Sequence, residues 1–177
     1  MLANTAPPPV PALSLDAASA LCGLSRRTLW RRLAAGDLRR LDDDARGRAM
    51  VAWDDVAAQF AVAAARSDPA QVLAADAGDA AAQVALGLLC QDAAQGKAAC
   101  YWFGLAAAQD HADAMQWLGR AHVAGLAGTV DVDQGLFWIA KAATRGHAIA
   151  QAQLRGVLGA SAAAAPPGPA GDAAQAL

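Results

Sequence analysis

Arg26, Arg27 and Arg31, with Ser25 and Thr28 beside them, form the densest group of phosphate-seeking side chains in the sequence. A guanidinium presents a planar fork of donors that pairs with phosphate oxygens or with the O6/N7 edge of guanine. Arg46 and Arg48 add two more cations a short distance downstream. Chemistry of other kinds finds little support. There is no glutamate, so an acid–base pair would need two of the sixteen aspartates, and none lies in an apolar run that would raise its pKa. His111 and His147 occupy matching positions in two similar segments, and Asp79 stands in the third, which points to a helix-start role. His122 is isolated. Asp131 and Asp133 have no third oxygen ligand near them in sequence, so no calcium loop is expected. Cys22, Cys90 and Cys100 are odd in number and lack metal-ligand spacing. No phosphate loop or nucleophile-elbow pattern occurs. The chain is therefore expected not to be an enzyme and to carry no cofactor or metal.

Length and composition bound what can position these groups. The chain has 177 residues, 14 Lys+Arg, 16 Asp and a formal net charge of −2. A globally basic nucleic-acid coat is thereby excluded, but a local patch is not. Eight of the fourteen bases lie within residues 13–60, where five of seven aspartates are confined to Asp42–Asp44 and Asp54–Asp55. No apolar run is long enough to span a bilayer, and the opening residues lack a positive n-region followed by an unbroken apolar stretch. Reduced, buried thiols and a cytoplasmic location without membrane contact are expected.

Sequence breaks divide the chain into four parts. Residues 1–12, with PPPVP, and 161–177, with APPGPAG, read as disordered tails. Ser67-Asp68-Pro69 marks a new helix, because proline suits its first turn. This gives modules at 13–66 and 67–160. In the first, Ser14 is placed to cap a short helix that stops at Gly23, and Ser25 to cap a second that stops at Gly36. Leu29 and Leu33 are i,i+4 neighbours able to pack on the first helix. LRRL and RAMVAW then read as a β-hairpin turning over Asp43–Gly47, and DDVAAQFAVAAARS as a continuous helix with an acidic first turn.

The ordered string A-A-x-x-x-G-L-S-x-R-T-L-W-R-R-L-x-x-G-D-L, followed by R-x-x-V-x-W-D-D-V, resembles the excisionase/MerR-type winged helix-turn-helix over residues 13 to about 60. The resemblance implies that Ser25, Arg26, Arg27, Thr28 and Arg31 face DNA from a recognition helix. It makes Arg46 and Arg48 wing contacts. Trp30 stands where that family often has an aromatic. Asp42–Asp44 beside the wing would oppose phosphate.

The second module repeats itself. GDAAAQVALG (78–87), DHADAMQWLG (110–119) and GHAIAQAQLR (146–155) align without gaps, and WFGLAAAQ (102–109) matches WIAKAATR (138–145). Small residues at Ala80/Ala112/Ala148 and Ala82/Ala114/Ala150 permit close helix approach. Leu86/Leu118/Leu154 fill the layer, and Trp102 and Trp138 anchor the second helices. Antiparallel helix pairs stacked as an α-solenoid follow from this pattern. The motif resembles the Sel-1-like repeat, a relative of the tetratricopeptide repeat, over about residues 69–158. It departs from that pattern at Gln95-Gly96-Lys97 and at Arg155, which replaces glycine.

The expected fold is thus mainly α: a short winged helix-turn-helix of two helices plus a hairpin, then an α-solenoid of about two and a half units. The expected function is a non-enzymatic DNA-binding regulator or adaptor whose repeats bind a protein or peptide. Gln83, Gln116 and Gln153 in one register, with Tyr101 and Arg120, are taken to line that groove, and a homodimer would suit paired DNA half-sites. The alternative is a protein–protein scaffold whose winged module does not bind DNA.

Overall fold

A computed structural model describes residues 10–164, and the side chains of Leu158 and Ala160–Ala164 are not described. The chain is mainly helical with one small antiparallel sheet. The elements run β1 (Ala12–Ser14), α1 (Leu15–Cys22), α2 (Arg26–Ala35), β2 (Arg40–Leu41), β3 (Met50–Ala52), α3 (Trp53–Ala57), α4 (Ala63–Ser67), α5 (Pro69–Ala77), α6 (Ala80–Asp92), α7 (Gly96–Ala108), α8 (Ala112–Val123), α9 (Val132–Thr144) and α10 (Ala148–Ala164).

The local signals at the first two helices are satisfied as the sequence predicts. Ser14 Oγ accepts from Ala17 N at 3.2 Å, and Ser25 Oγ accepts from Thr28 N at 3.1 Å, each occupying one orphan donor of a helix start. Gly23 and Gly36 end the two helices at φ of 65° and 81°, a region that glycine enters without a Cβ clash. Leu29 is buried, with Leu33 packed against the same core. The hairpin forms with Arg40 opposite Val51 and Leu41 opposite Met50. Its turn closes through Asp44, whose Oδ1 accepts from the backbone N–H of Arg46 and Arg48 at 3.0 and 2.8 Å.

Three boundaries differ from the sequence expectation. Ala12 was placed in a tail but belongs to β1, which pairs with β3 in the order β1-β3-β2. Leu13 and Ser14 are buried by that pairing, and a three-residue strand between a proline and a helix leaves too short an alternation to read. The helix expected through residues 54–67 is broken between α3 and α4. Phe60 and Val62 both turn into the core, Phe60 meets Trp53 edge-on at 5.2 Å, and Ala61 N donates to the Leu21 carbonyl at 2.8 Å. Packing and that tertiary hydrogen bond override helix propensity here. At the far end, α10 continues to Ala164, inside the stretch assigned to the second tail. The parts of the two expected tails at 1–9 and 165–177 lie outside the described residues.

From α5 onward the connections are two to eight residues long, and each helix packs mainly against its neighbours in sequence. Asp68 caps α5 through Gln71 N at 3.0 Å with Pro69 in its first turn, as the Ser-Asp-Pro break predicts. The backbone is left-handed at Gly78 (φ 110°), Asp110 (φ 62°) and Gly146 (φ 89°), the first residue of each of the three similar segments. Two glycines let helices touch. A Cβ on Gly87 would lie 2.5 Å from the Phe103 ring, and one on Gly119 would lie 2.7 Å from Ile139 and 2.8 Å from the Gly135 carbonyl. Hydrophobic burial is continuous from Leu13 to Ala150, so the sheet, the first helices and α5–α10 share one core.

Candidate nucleic-acid interface

The amino end of α2 carries the arginine group. Ser25 fixes it through its cap and also lies 2.9 Å from Thr28 Oγ1. Arg26, Arg27 and Arg31 are exposed, while Thr28 is half-buried. Arg27 and Arg31 are four residues apart and so share one side of the helix. Neither has a carboxylate partner among the described residues. Arg26 is paired with Asp16 at 3.0 Å, both exposed, a contact that solvent and salt weaken. Arg32 donates to the side-chain oxygen of Gln59.

Acids near the hairpin are largely neutralised by its own arginines. Asp43 pairs with Arg40 at 2.5 Å, Asp44 with Arg48 at 2.8 Å and Asp55 with Arg39 at 2.8 Å. Arg39 also donates its backbone N–H to Asp55 at 2.7 Å. The Arg39 side-chain hydrogen bonds, followed by that backbone bond, hold the Asp55 carboxyl below its usual pKa. The Arg48 backbone N–H does most to lower Asp44, helped by its guanidinium and by the N–H of Arg46. Arg40 also stacks over the Trp30 ring at 5.1 Å, tying β2 to α2 and explaining why a tryptophan stands 39% exposed. The acidic cluster expected to repel phosphate is therefore mostly spent inside the hairpin.

Arg46 and Arg48 are placed differently from α2's arginines. Arg46 donates to the Ala77 carbonyl at 2.8 Å, at the carboxyl end of α5. Arg48 bridges Asp44 and Asp76, the latter at 2.7 Å. Burial opposes the Arg48 charge, but the two carboxylates outweigh it and raise its pKa. Both side chains thus join the hairpin to α5.

Asp76 completes that junction. It is buried and accepts from Ser14 N at 2.7 Å and Ser14 Oγ at 2.5 Å as well as from Arg48. Sequence reasoning passed over Asp76, which sits in the alanine-rich run LAADA. The one available signal was a lone acid on a face otherwise made of Val72 and Ala75.

Of the residues expected to line a groove, Gln83 and Tyr101 border one cleft, and Gln116, Arg120 and Gln153 do not line it. Gln83 and Gln116 are 3% and 4% exposed. Gln83 donates to the Ala75 carbonyl at 2.9 Å and accepts from Gln109 at 2.8 Å, while Gln116 donates to exposed Gln153 at 2.6 Å. They lie five, six and seven residues into their segments, counted from Gly78, Asp110 and Gly146, so each is turned a further 100° or so about its helix. The shared register is therefore corrected: two of the three glutamines bind helices together. Arg120 is exposed and stacked on Trp117 at 4.8 Å. Tyr101 is half-buried, and burial, with Asp16 and Asp76 nearby, pushes its hydroxyl up to about 12.

At the matching helix starts, Asp79 Oδ1 accepts from Ala82 N at 2.8 Å and His147 Nδ1 from Ala150 N at 3.2 Å. His111 begins α8 without a side-chain cap bond. Among the described residues no cluster of three or more His, Cys or Asp side chains could hold a metal ion, and no helix is long and apolar enough to cross a membrane.

A cleft of about 410 Å³ lies beside the arginine group, lined by Asp16, Ser25 and Arg26 on one side and Lys97 and Tyr101 of α7 on the other. A second, of about 480 Å³, runs over the Asp76 junction and is lined by Arg46, Arg48, Gln83 and Leu105. No family model, curated protein or solved structure matches the chain.

Proposed function

We propose that this chain is a non-enzymatic, cytoplasmic DNA-binding regulator or adaptor. In this reading residues 13–66 are an excisionase/MerR-type winged helix-turn-helix with α2 as the recognition helix. The observation that carries it is the exposed pair Arg27 and Arg31 at the capped amino end of α2, without a carboxylate partner among the described residues, beside a hairpin in which Asp43 and Asp44 are paired internally and Asp42 is left exposed. Such an arrangement leaves unspent positive charge where a recognition helix meets a groove. Arg26, Ser25 and Thr28 flank it. Arg46 and Arg48 act in this reading chiefly by holding the hairpin to α5.

The second half of the proposal is a Sel-1-like α-solenoid that binds a protein or peptide. Recurrent left-handed residues at Gly78, Asp110 and Gly146 support it, as do the equivalent glycine contacts Gly87–Phe103 and Gly119–Ile139. Arg155 fits the same scheme: it falls at the position of Gly87 and Gly119, on a helix that no later described helix approaches. The scaffold alternative is favoured by a different feature, the exposed Phe137 (56%) and Ile149 (62%) on α9 and α10.

Selection of bound fragments from sheared genomic DNA, by the full chain and by an Arg27→Ala/Arg31→Ala double variant, tests the reading. A recovered motif that the variant loses supports α2 as the reader. Equal retention by both proteins, with no motif, overturns it and leaves the scaffold.

A further inference from the structure

The cleft between the amino ends of α2 and α7 has an electrostatic feature that the two-module description leaves unexplained. α2 spans 10 residues and α7 spans 13, and neither has an acid in its first turn. Both instead carry cations there, Arg26 and Arg27 on α2 and Lys97 on α7. A helix start already presents partial positive charge and free N–H groups, so an added cation is disfavoured unless an anion sits nearby. Lys97 is exposed and has no carboxylate partner among the described residues. The single acid lining this cleft, Asp16, is already paired with Arg26. Ser25 and the hydroxyl-bearing Tyr101 line the same space.

We propose that Lys97 is a DNA-backbone contact, so that the nucleic-acid surface continues from α2 onto the helical module. This inference rests on the DNA-binding reading and extends it. Charge complementarity names the occupant: two like-charged helix starts and a lysine face one open cleft at the edge of the proposed recognition helix, where a phosphate flanking the groove would lie. The contact is a positioning one. Lys97 adds affinity and carries no sequence preference.

The test measures affinity of the full chain for a selected fragment across a salt series, with Lys97→Gln beside Lys141→Gln. Lys141 lies on α9, within 3.9 Å of Asp110 and 5.2 Å from the Trp138 ring, away from the cleft. Removing one phosphate contact lowers the slope of log K against log salt by about 0.9, and weakens binding about five-fold at 0.15 M salt. Lys97→Gln is expected to show both effects with an unchanged motif, and Lys141→Gln neither. Equal slopes for Lys97→Gln and the unaltered chain overturn the inference, as does an equal fall for Lys141→Gln. If the unaltered chain binds no DNA, the broader reading fails with it. If it binds in an Arg27/Arg31-dependent way and Lys97→Gln changes nothing, the Lys97 contact alone fails.

Discussion

Substituting Asp76 should be among the most damaging single changes outside the apolar core. Its carboxylate, 5% exposed, satisfies the backbone N–H and hydroxyl of Ser14 and one nitrogen of Arg48 at 2.5–2.7 Å. By accepting the Ser14 hydroxyl proton it also aims that oxygen's lone pair at Ala17 N, where it caps α1. Asp76→Ala leaves two buried donors unpaired and a guanidinium that is 27% exposed with only Asp44 beside it. Breaking a buried pair costs about 3–5 kcal/mol. Arg48 keeps Asp44 and some water, so a loss near the lower end, about 3 kcal/mol, is expected. For a chain of this length that corresponds to a fall in Tm of roughly 6–12 °C. Asp76→Asn, which retains one acceptor of similar shape but no charge, should cost about half as much. Urea unfolding followed by far-UV circular dichroism and tryptophan fluorescence measures both. A double-mutant cycle with Ser14→Ala should give a coupling of at least about 1 kcal/mol. A loss below 1 kcal/mol for Asp76→Ala, or strict additivity with Ser14→Ala, would refute the argument that this carboxylate welds the hairpin and first helix to α5.

Other outcomes follow from single contacts. Gly96→Ala should destabilise by about 2–3 kcal/mol, because its Cβ would lie 1.9 Å from the Leu126 carbonyl, whereas Gly104→Ala, with nothing within 4 Å, should stabilise by about 0.5–1 kcal/mol; urea midpoints that rank them the other way reject the close approach of α7 to the loop after α8. Burial pushes the Cys22 and Cys90 thiols up to about 11 and about 12 and raises Cys100, so a thiol reagent at pH 8 should react slowly with the native chain and quickly with all three in urea; fast native labelling of Cys90 counts against its burial. Asp55 has a folded pKa below its unfolded value, so its bond to Arg39 stabilises above about pH 4 and is lost as pH falls through the folded pKa; Asp55→Asn should flatten that part of the stability–pH curve, and an unchanged curve removes the Arg39 latch from the acid response.

Much of the local structure was legible in the sequence, because its causes are local. Ser14, Ser25, Asp68 and Asp79 cap helices, and Gly23, Gly36 and Gly78 end them, through bonds and dihedrals that span no more than a few residues. The hairpin turn was visible for the same reason, since Asp44 and Gly47 close it among themselves. The candidate DNA face was legible as residue types at the start of α2. Which of its arginines remain free was not, because Asp16, on the preceding helix, pairs with Arg26 through space and leaves Arg27 and Arg31 without such a partner among the described residues.

Where the sequence alone misled, a distant group had prevailed over local preference. The alanine-rich stretch after Trp53 favours helix throughout, yet Phe60 and Val62 reach the core only if the helix breaks, and Leu21 supplies the carbonyl that pays for the break. Gln83 and Gln116 read as polar surface, but neighbouring helices bury them and Ala75, Gln109 and Gln153 supply their partners. Helix starts, helix ends and the repeated alanine–leucine pattern were thus determined by the sequence itself, through interactions within one or two turns. The three-stranded sheet, the Asp76 junction and the shared core were decided only by tertiary structure. Those contacts join residues as far apart as Ser14 and Asp76, and their stability comes from excluding water around groups that no local window brings together.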